Sequence, residues 1–323
     1  MVFIGLNLYY GIIKSCDMAN PGAKKKWISE QACVSMAHTC NLYCIYCHNP
    51  PAGQKKDIRR TAAELKASGV AAVSLEGGGE PTASPDFFPW IKALKGAGVV
   101  KIMLSTNAVA LARADYCRRA VREIDYFTVN FPSHRAELYG RITRSVKFPL
   151  ALKGLENLKA LGAEDKIRFF HIISAANYRL LPEFALWAAR NFPRAAFVNF
   201  TFVRNKGRAL EAPRIVPSYA QAAPFIKLAL AALKLKGVKA VVQNMPLCVL
   251  RNCEGFSFEF QRWRRGDRVL EGGVEPAAAC RACVRCTLAR ACCGARPDYL
   301  KVHGDRELKA SKKDPAAIKP EAF

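Results

Sequence analysis

Acidic residues are scarce in this 323-residue chain: 26 Asp and Glu stand against 50 Lys and Arg, a formal net charge of +24. Also missing is any apolar run of about eighteen residues, which excludes a conventional membrane-spanning helix. The first thirteen residues are apolar, but no basic residue opens them and no small-residue cleavage site closes them, so they do not read as a secretory signal. Residues 1–27 are therefore read as an N-terminal extension, loosely attached or translated from an upstream start, and the chain is expected in the cytoplasm. There is no shortage of apolar residues. At 51% hydrophobic content the chain has the composition of a globular protein, not a disordered one.

A surface this basic attracts polyanions, so RNA or an acidic peptide is a possible partner. The basic residues are spread along the chain, many as Arg beside Ala, and net charge alone supports only non-specific binding. The thirteen cysteines are more informative. Three fall at Cys40, Cys44 and Cys47, and seven between Cys248 and Cys293. Such grouping in a long chain without an export signal favours metal ligation over a disulfide framework. Cys16, Cys33 and Cys117 stand apart and read as ordinary small side chains.

From residue 28 to 244 short β-like runs alternate with longer amphipathic stretches. Strands are expected at 32–37, 70–75, 99–105, 126–130, 167–174 and 196–203, rich in Val, Ile and Phe as buried parallel strands are. Helices are expected at 61–67, 87–97, 110–120, 152–161 and 180–191, with a further helix at 219–235 and strand at 238–243. This alternation implies an α/β fold with a parallel sheet curved into a partial (βα)6 TIM-like barrel. Active-site residues of such folds gather on loops at the C-terminal ends of strands. Residues 245–304 change character, with more Gly, Pro, Arg and Cys, and read as a small cysteine-rich extension; residues 305–323 read as a charged, mobile tail.

Cys40-Asn-Leu-Tyr-Cys44-Ile-Tyr-Cys47 is a C-x3-C-x2-C spacing on the loop after the first expected strand. Three thiolates suit three irons of a [4Fe–4S] cube and leave the fourth iron open for an external ligand. A zinc site or an electron-transfer cluster is the alternative, although zinc more often uses paired C-x2-C units. His48 adjoins Cys47, with a hydrogen-bonding or solvated role expected over ligation. After the second strand comes Gly77-Gly78-Gly79-Glu80-Pro81, whose glycines permit close backbone approach while Glu80 offers an acceptor to an ammonium group. Ser105-Thr106-Asn107 ends the third strand, Asn130 the fourth, and Ser174 and Asn177 the fifth. Each of these is also an ordinary turn or cap residue. Past the sixth strand, Arg204 and Lys206 are candidates for a substrate anion, or for a solvated turn.

Cys40, Cys44 and Cys47, with Tyr46 before the last, resemble the signature of the radical S-adenosylmethionine (SAM) superfamily, and Cys47-His48-Asn49-Pro50 is similar to the wording in radical-enzyme activases. The resemblance implies that SAM chelates the open iron and is cleaved to methionine and a 5′-deoxyadenosyl radical that abstracts a substrate hydrogen. It further implies that Gly78, Gly79 and Glu80 hold the SAM amino group and that Ser105 and Asn107 lie near ribose and carboxylate; Tyr46 within the motif, and Asn130 and Ser174 by their places at strand ends, are further candidates for the same site. An external reductant such as a flavodoxin or ferredoxin is implied too.

Cys283-x2-Cys286-x5-Cys292-x-Gly294 resembles the SPASM or twitch auxiliary-cluster extensions common in peptide-modifying members. With Cys248 as a distant fourth ligand, this set would hold one auxiliary [4Fe–4S] cluster. Cys280 and Cys253 compete for membership, Cys292 and Cys293 are ambiguous, and a zinc-knuckle-like site is the alternative. The leading expectation is a radical SAM oxidoreductase or maturase acting on a peptide, a protein or a similarly sized substrate. An RNA- or nucleoside-modifying enzyme, a glycyl-radical-enzyme activase and a non-enzymatic iron–sulfur electron carrier are the alternatives.

Overall fold

Seven strands, all parallel and ranked in chain order, form the frame of the computed structural model, which describes residues 31–51, 56–266 and 280–321. They are β1 (Gln31–Val34), β2 (Ala72–Leu75), β3 (Lys101–Thr106), β4 (Tyr126–Asn130), β5 (Ile167–Ile173), β6 (Phe197–Phe202) and β7 (Ala240–Gln243). Neighbours pair from β1 to β7 and, among the described residues, β1 and β7 do not pair with each other, so the sheet is an open, partial barrel. The expectation for residues 1–27 lies outside the described residues.

Helices alternate with the strands: α1 (Ile58–Ser68), α2 (Phe87–Gly96), α3 (Ala114–Glu123), α4 (Ala136–Thr143), α5 (Phe148–Ala160), α6 (Leu181–Asn191) and α7 (Tyr219–Leu235). The C-terminal region adds α8 (Phe258–Arg264) and α9 (Pro297–His303). All four residues of β2 are buried, and five of the six in β6, because helices cover one face and the barrel interior the other. Phe131, Phe169, Phe184, Trp187 and Phe192 pack ring against ring with centroids 5.3–6.1 Å apart, locking α6 onto the sheet.

Register decides where the strand ends fall. Val34 pairs with Leu75, and Leu75 with Leu104, so β1, β2 and β3 reach their C-terminal ends at nearly one level. Their exit loops are thereby brought side by side.

One helix of the barrel region is additional to those expected, and one expectation changes. Residues 136–143 carried no helix expectation, yet they form α4, which buries Leu138, Tyr139 and Ile142 on one face. The tail from 305 to 323, expected to be mobile, is pinned through its described part, to residue 321. Leu308 and Ile318 are buried, Lys313 pairs with buried Glu254 at 2.7 Å, and Thr287 Oγ1 donates to the carbonyls of Ser311 and Lys313. Its charged residues hid two apolar anchors ten residues apart.

Candidate active site

The loop leaving β1 carries Cys40 exposed, Cys44 buried and Cys47 partly buried. Its shape is set from two sides. The backbone N–H groups of Tyr43 and Ile45 donate to the carbonyls of Thr143 and Ile142 (2.9 and 3.0 Å), using acceptors that the end of α4 leaves unpaired. On the other side the loop after β6 closes in, with Arg208 N donating to the Cys47 carbonyl at 2.9 Å. Gly207 makes this approach possible: its φ is +58°, and a Cβ there would lie 2.4 Å from the Cys47 oxygen. The segment around Arg204 and Lys206 was read as facing SAM or substrate, or equally as a solvated turn. The structure uses its backbone to clamp the cysteine loop, and places Arg204 and Lys206 in the field of His48, which is exposed.

Glu80 joins the second and third exit loops. Its carboxylate is 3% exposed; Oε1 accepts from Thr82 Oγ1 and Thr106 Oγ1, both at 2.6 Å, and from Thr82 N at 3.2 Å. Oε2 accepts only from Asn107 N, at 2.7 Å, among the described residues, and so retains acceptor capacity. Burial raises this carboxyl above the usual range, and the four hydrogen bonds oppose the shift. Glu80 N in turn donates to the Thr39 carbonyl at 2.9 Å. A Cβ on Gly79, at φ +144°, would fall 2.2 Å from that same oxygen. The three-glycine turn therefore lies directly on the cysteine loop, with Gly78 facing the Ala37 carbonyl.

Asn107 Nδ2 donates to Asn41 Oδ1 at 2.6 Å, tying the end of β3 to the residue after Cys40. Tyr46 donates its hydroxyl to Asn130 Oδ1 at 2.9 Å, and burial pushes the phenol well above its ordinary value, so it acts as a neutral donor. Ser105 Oγ donates to Glu76 Oε2 at 3.3 Å. Ser174 is different. Fully buried, its N and Oγ both donate to Asn177 Oδ1, and Asn177 Nδ2 donates to the Pro132 and Ile172 carbonyls. These two hold the turn after β5.

The donor set fits an iron–sulfur cluster. The three sulfurs feel one another: burial and then the neighbouring Cys40 and Cys47 push the Cys44 thiol up to about 12, and burial raises Cys40 as well. Such thiols become thiolates only when a cation takes up the charge, and soft sulfur suits iron. Among the described residues no three Cys, His, Asp or Glu side chains close on a single ion. A cube places each thiolate on a different iron and does not require that convergence.

Residues 34–177 match the family described as the radical SAM superfamily. That stretch, less than half of the chain, is similar to a radical SAM domain. It runs from the end of β1 to the turn at Asn177, and so contains both the cysteine loop and Glu80. Mycofactocin maturase MftC of Mycobacterium tuberculosis is 28% identical over 182 residues, 54% of this chain and 45% of that protein. A probable GTP 3′,8-cyclase of Saccharolobus islandicus is 26% identical over 135 residues, 40% of this chain and 43% of that protein. The matched stretches span under half the length of these relatives. A solved structure of histidine-tagged anSMEcpe with bound AdoMet has TM-score 0.53 and 14% identity, covering 77% of this chain and 69% of that one. At that identity the likeness is one of fold, and it extends beyond residues 34–177.

The second cysteine group lies past β7. Cys248 is in electrostatic reach of Cys292 and Cys286. Backbone N–H groups point at all three sulfurs: Lys309 at Cys248, Ser311 at Cys286 (3.3 Å), and Leu247 and Gly294 at Cys292 (3.2 and 3.3 Å). Cys293 donates to Cys292 and holds it below the ordinary thiol value against burial, while Cys293 itself is raised and neighbours Tyr219. Cys283, expected as the fourth member, is instead disulfide-bonded to Cys280, because the short turn at Arg281–Arg285 brings the two sulfurs together. Cys253 stands among Lys227, Glu254 and Glu321, with none of the three cysteines prominent around it. No helix among the described residues is long and apolar enough to cross a membrane.

Asn41, Glu76 and Arg208 were not singled out from the sequence. Asn41 sits inside the cysteine motif and is visible there; Glu76 and Arg208 carry no comparable mark.

Proposed function

We propose that this chain is a radical SAM enzyme that uses Cys40, Cys44 and Cys47 to hold a [4Fe–4S] cluster with one open iron, and that its substrate is a peptide or protein. When bound, the cluster and SAM supply a 5′-deoxyadenosyl radical able to take a hydrogen atom. The residues of the chain do the positioning. Glu80 Oε2, with its spare lone pairs, orients an ammonium group beside the cysteine loop. Gly78 and Gly79 present backbone in place of side chains, and Ser105, Asn107, Tyr46 and Asn130 supply polar atoms at the strand ends. Burial of Cys44, Tyr46 and Glu80 keeps water from competing for these contacts.

The observation that carries this reading is the junction of three loops. One buried carboxylate, carried by the loop after β2, is hydrogen-bonded to the end of β3, and its own backbone is bonded to the cysteine loop. Anaerobic reconstitution followed by SAM titration tests it: Glu80→Gln should keep its iron and lose most SAM affinity. Unchanged affinity would remove Glu80 from the site.

A peptide or protein substrate is supported by the relative named a maturase and by the second cysteine group, which we assign to an auxiliary cluster on Cys248, Cys286 and Cys292. N–H groups aimed at sulfur stabilise thiolates whichever metal they hold. Cys283 joins that set only if its bond to Cys280 opens. A nucleotide or RNA substrate is the second reading, favoured by the relative named a GTP 3′,8-cyclase and by the net charge of +24. Equilibrium binding of a translated neighbouring precursor peptide against GTP and RNA oligonucleotides separates the two.

A further inference from the structure

A recess of about 480 Å³ opens where the C-terminal region meets the rim of the barrel. The turn after β5 supplies Tyr178 and Arg179, the loop between β6 and α7 supplies Arg214 and Val216, and the end of α9 supplies Val302 and His303. Hydrogen bonds to backbone hold these walls together. Ala175 N donates to the Ile215 carbonyl at 2.7 Å, joining the two barrel loops. His303 Nε2 donates to the Val216 carbonyl at 2.9 Å, joining α9 to them. The loop that carries Arg214 is the one that clamps the Cys47 carbonyl through Arg208 N, so the recess and the cysteine loop share the rim where the strands end.

The chemistry of the recess is one-sided. Arg179 and Arg214 are exposed, and the wall contains no carboxylate. Among the described residues neither forms an ion pair; Arg179 lies over the Tyr178 ring, 5.0 Å from its centroid. Other exposed arginines are matched: Arg60, Arg141 and Arg281 stand 2.9–3.8 Å from a carboxylate. Glu307 accepts from Ala220 N at 2.7 Å and from the Tyr299 hydroxyl, and lies outside the wall. Gln221, also in the wall, gives its side-chain oxygen to Ser218 N at 3.0 Å, which leaves its amide N–H groups as donors. Beside these donors stand Val216, Pro217 and Val302, an apolar surface. Such a mixture suits an oxyanion carried on an apolar body. The guanidinium fork meets a carboxylate with two parallel hydrogen bonds, and the aliphatic wall takes the side chain next to it. We propose that this recess binds a carboxylate of the peptide substrate, on an acidic side chain or at the chain end, together with a neighbouring apolar side chain. The inference deepens the peptide reading above and rests on it. It gives Arg179 and Arg214 a part in substrate recognition and none in SAM cleavage.

The test uses the reconstituted holoprotein and short rhodamine-labelled peptides, with Kd read from anisotropy at low ionic strength. One peptide has an internal Leu-Glu pair and an amidated end, another has Leu-Gln and the same end, and a third has Leu-Gln and a free carboxylate end. The Leu-Glu peptide, the free-ended peptide or both should bind at least about tenfold more tightly than the amidated Leu-Gln peptide, and which of them does so names the source of the carboxylate. Arg179→Gln and Arg214→Gln should each remove that advantage, and so should Val302→Glu, which sets a carboxylate in the wall. Arg190→Gln, an exposed residue on α6 outside the recess, should leave it unchanged. Release of 5′-deoxyadenosine with dithionite and SAM, in the absence of peptide, should be the same in every variant as in the unmodified protein, which separates loss of recognition from loss of the fold. An advantage that survives both arginine substitutions, or that Arg190→Gln removes equally, overturns the proposal. Equal and tight binding of all three peptides overturns the recess alone; no binding of any peptide overturns the peptide reading with it. GTP bound more tightly than either acidic peptide, and lost in the same two arginine variants, also overturns it, since the recess would then serve a nucleotide phosphate. Absence of 5′-deoxyadenosine from unmodified, cluster-loaded protein strikes the radical SAM reading instead, and leaves the peptide comparison to decide the recess.

Discussion

Gly207 and Cys47 touch backbone to backbone: no side chain fits between them, since a Cβ on Gly207 would stand 2.4 Å from the Cys47 carbonyl oxygen. The loop after β6 is thus a wall of the cysteine site. The same loop is bound to the cysteine-rich region, because Asp298 Oδ2 accepts from Asn205 N at 2.7 Å and Asp298 is itself held by buried Arg296. The two cysteine groups are mechanically joined through residues 205–208.

Gly207→Ala combines a left-handed φ with a backbone clash, a strain of about 1–3 kcal/mol. The expected outcome is a protein that folds but retains less iron at the first site after reconstitution. Iron and sulfide content measured beside the thermal midpoint will separate loss of the loop from loss of the fold.

Glu80 gives a pH dependence with a definite sign. Its folded pKa is raised by burial, so the folded state binds the proton more readily than the unfolded chain. Stability from this group therefore falls as pH rises from the ordinary carboxyl value through the raised one. SAM affinity runs the other way, because an ammonium needs the carboxylate: it should weaken as pH drops toward the raised pKa. Calorimetric SAM titrations over that range should show the loss, and the Glu80→Gln protein should show a flat profile.

Much of the fold was legible in the sequence. Short apolar runs with Val, Ile or Phe marked the strands, and β4 begins and ends at Tyr126 and Asn130, as expected. The cysteine triplet and Glu80 stood out because spacing and glycine content are local signals. What stayed hidden is non-local. Arg208 reaches the cysteine loop from the far side of the barrel, and nothing in its own neighbourhood says so. α4 was missed although Leu138, Tyr139 and Ile142 share one face, because a stretch this short, about two turns with a glycine among them, gives little signal by itself. The tail was misread because Leu308 and Ile318 are isolated among charges; the burial of Ile318 depends on a surface formed by α8 and the residues around Leu288.

Leu308→Ala tests the pinned tail. Truncating a buried leucine costs about 2–5 kcal/mol, so a clear drop in the thermal midpoint is expected in the full chain. An unchanged midpoint would mean that residues 305–321 do not pack.

In the second cysteine group, Cys292→Ser should abolish the auxiliary cluster, because Cys292 faces Cys248 and Cys286. Cys293→Ser should spare the cluster, because the Cys293 thiol is raised and buried and acts as a donor, to Cys292 and to the Gly294 carbonyl, a role a serine hydroxyl can keep. With two four-iron clusters present, iron analysis should fall from about eight to about four per chain in the first variant only. About four irons accompanied by zinc in the unmodified protein would reassign this group to a structural zinc site.

The central claim is tested most directly by 5′-deoxyadenosine. Reconstituted protein, given dithionite and SAM under anaerobic conditions, is expected to release it, and Cys44→Ala, lacking the buried member of the triplet, is expected to release none. Equal release by Cys44→Ala, or none from unmodified protein shown to hold its clusters, would contradict the account.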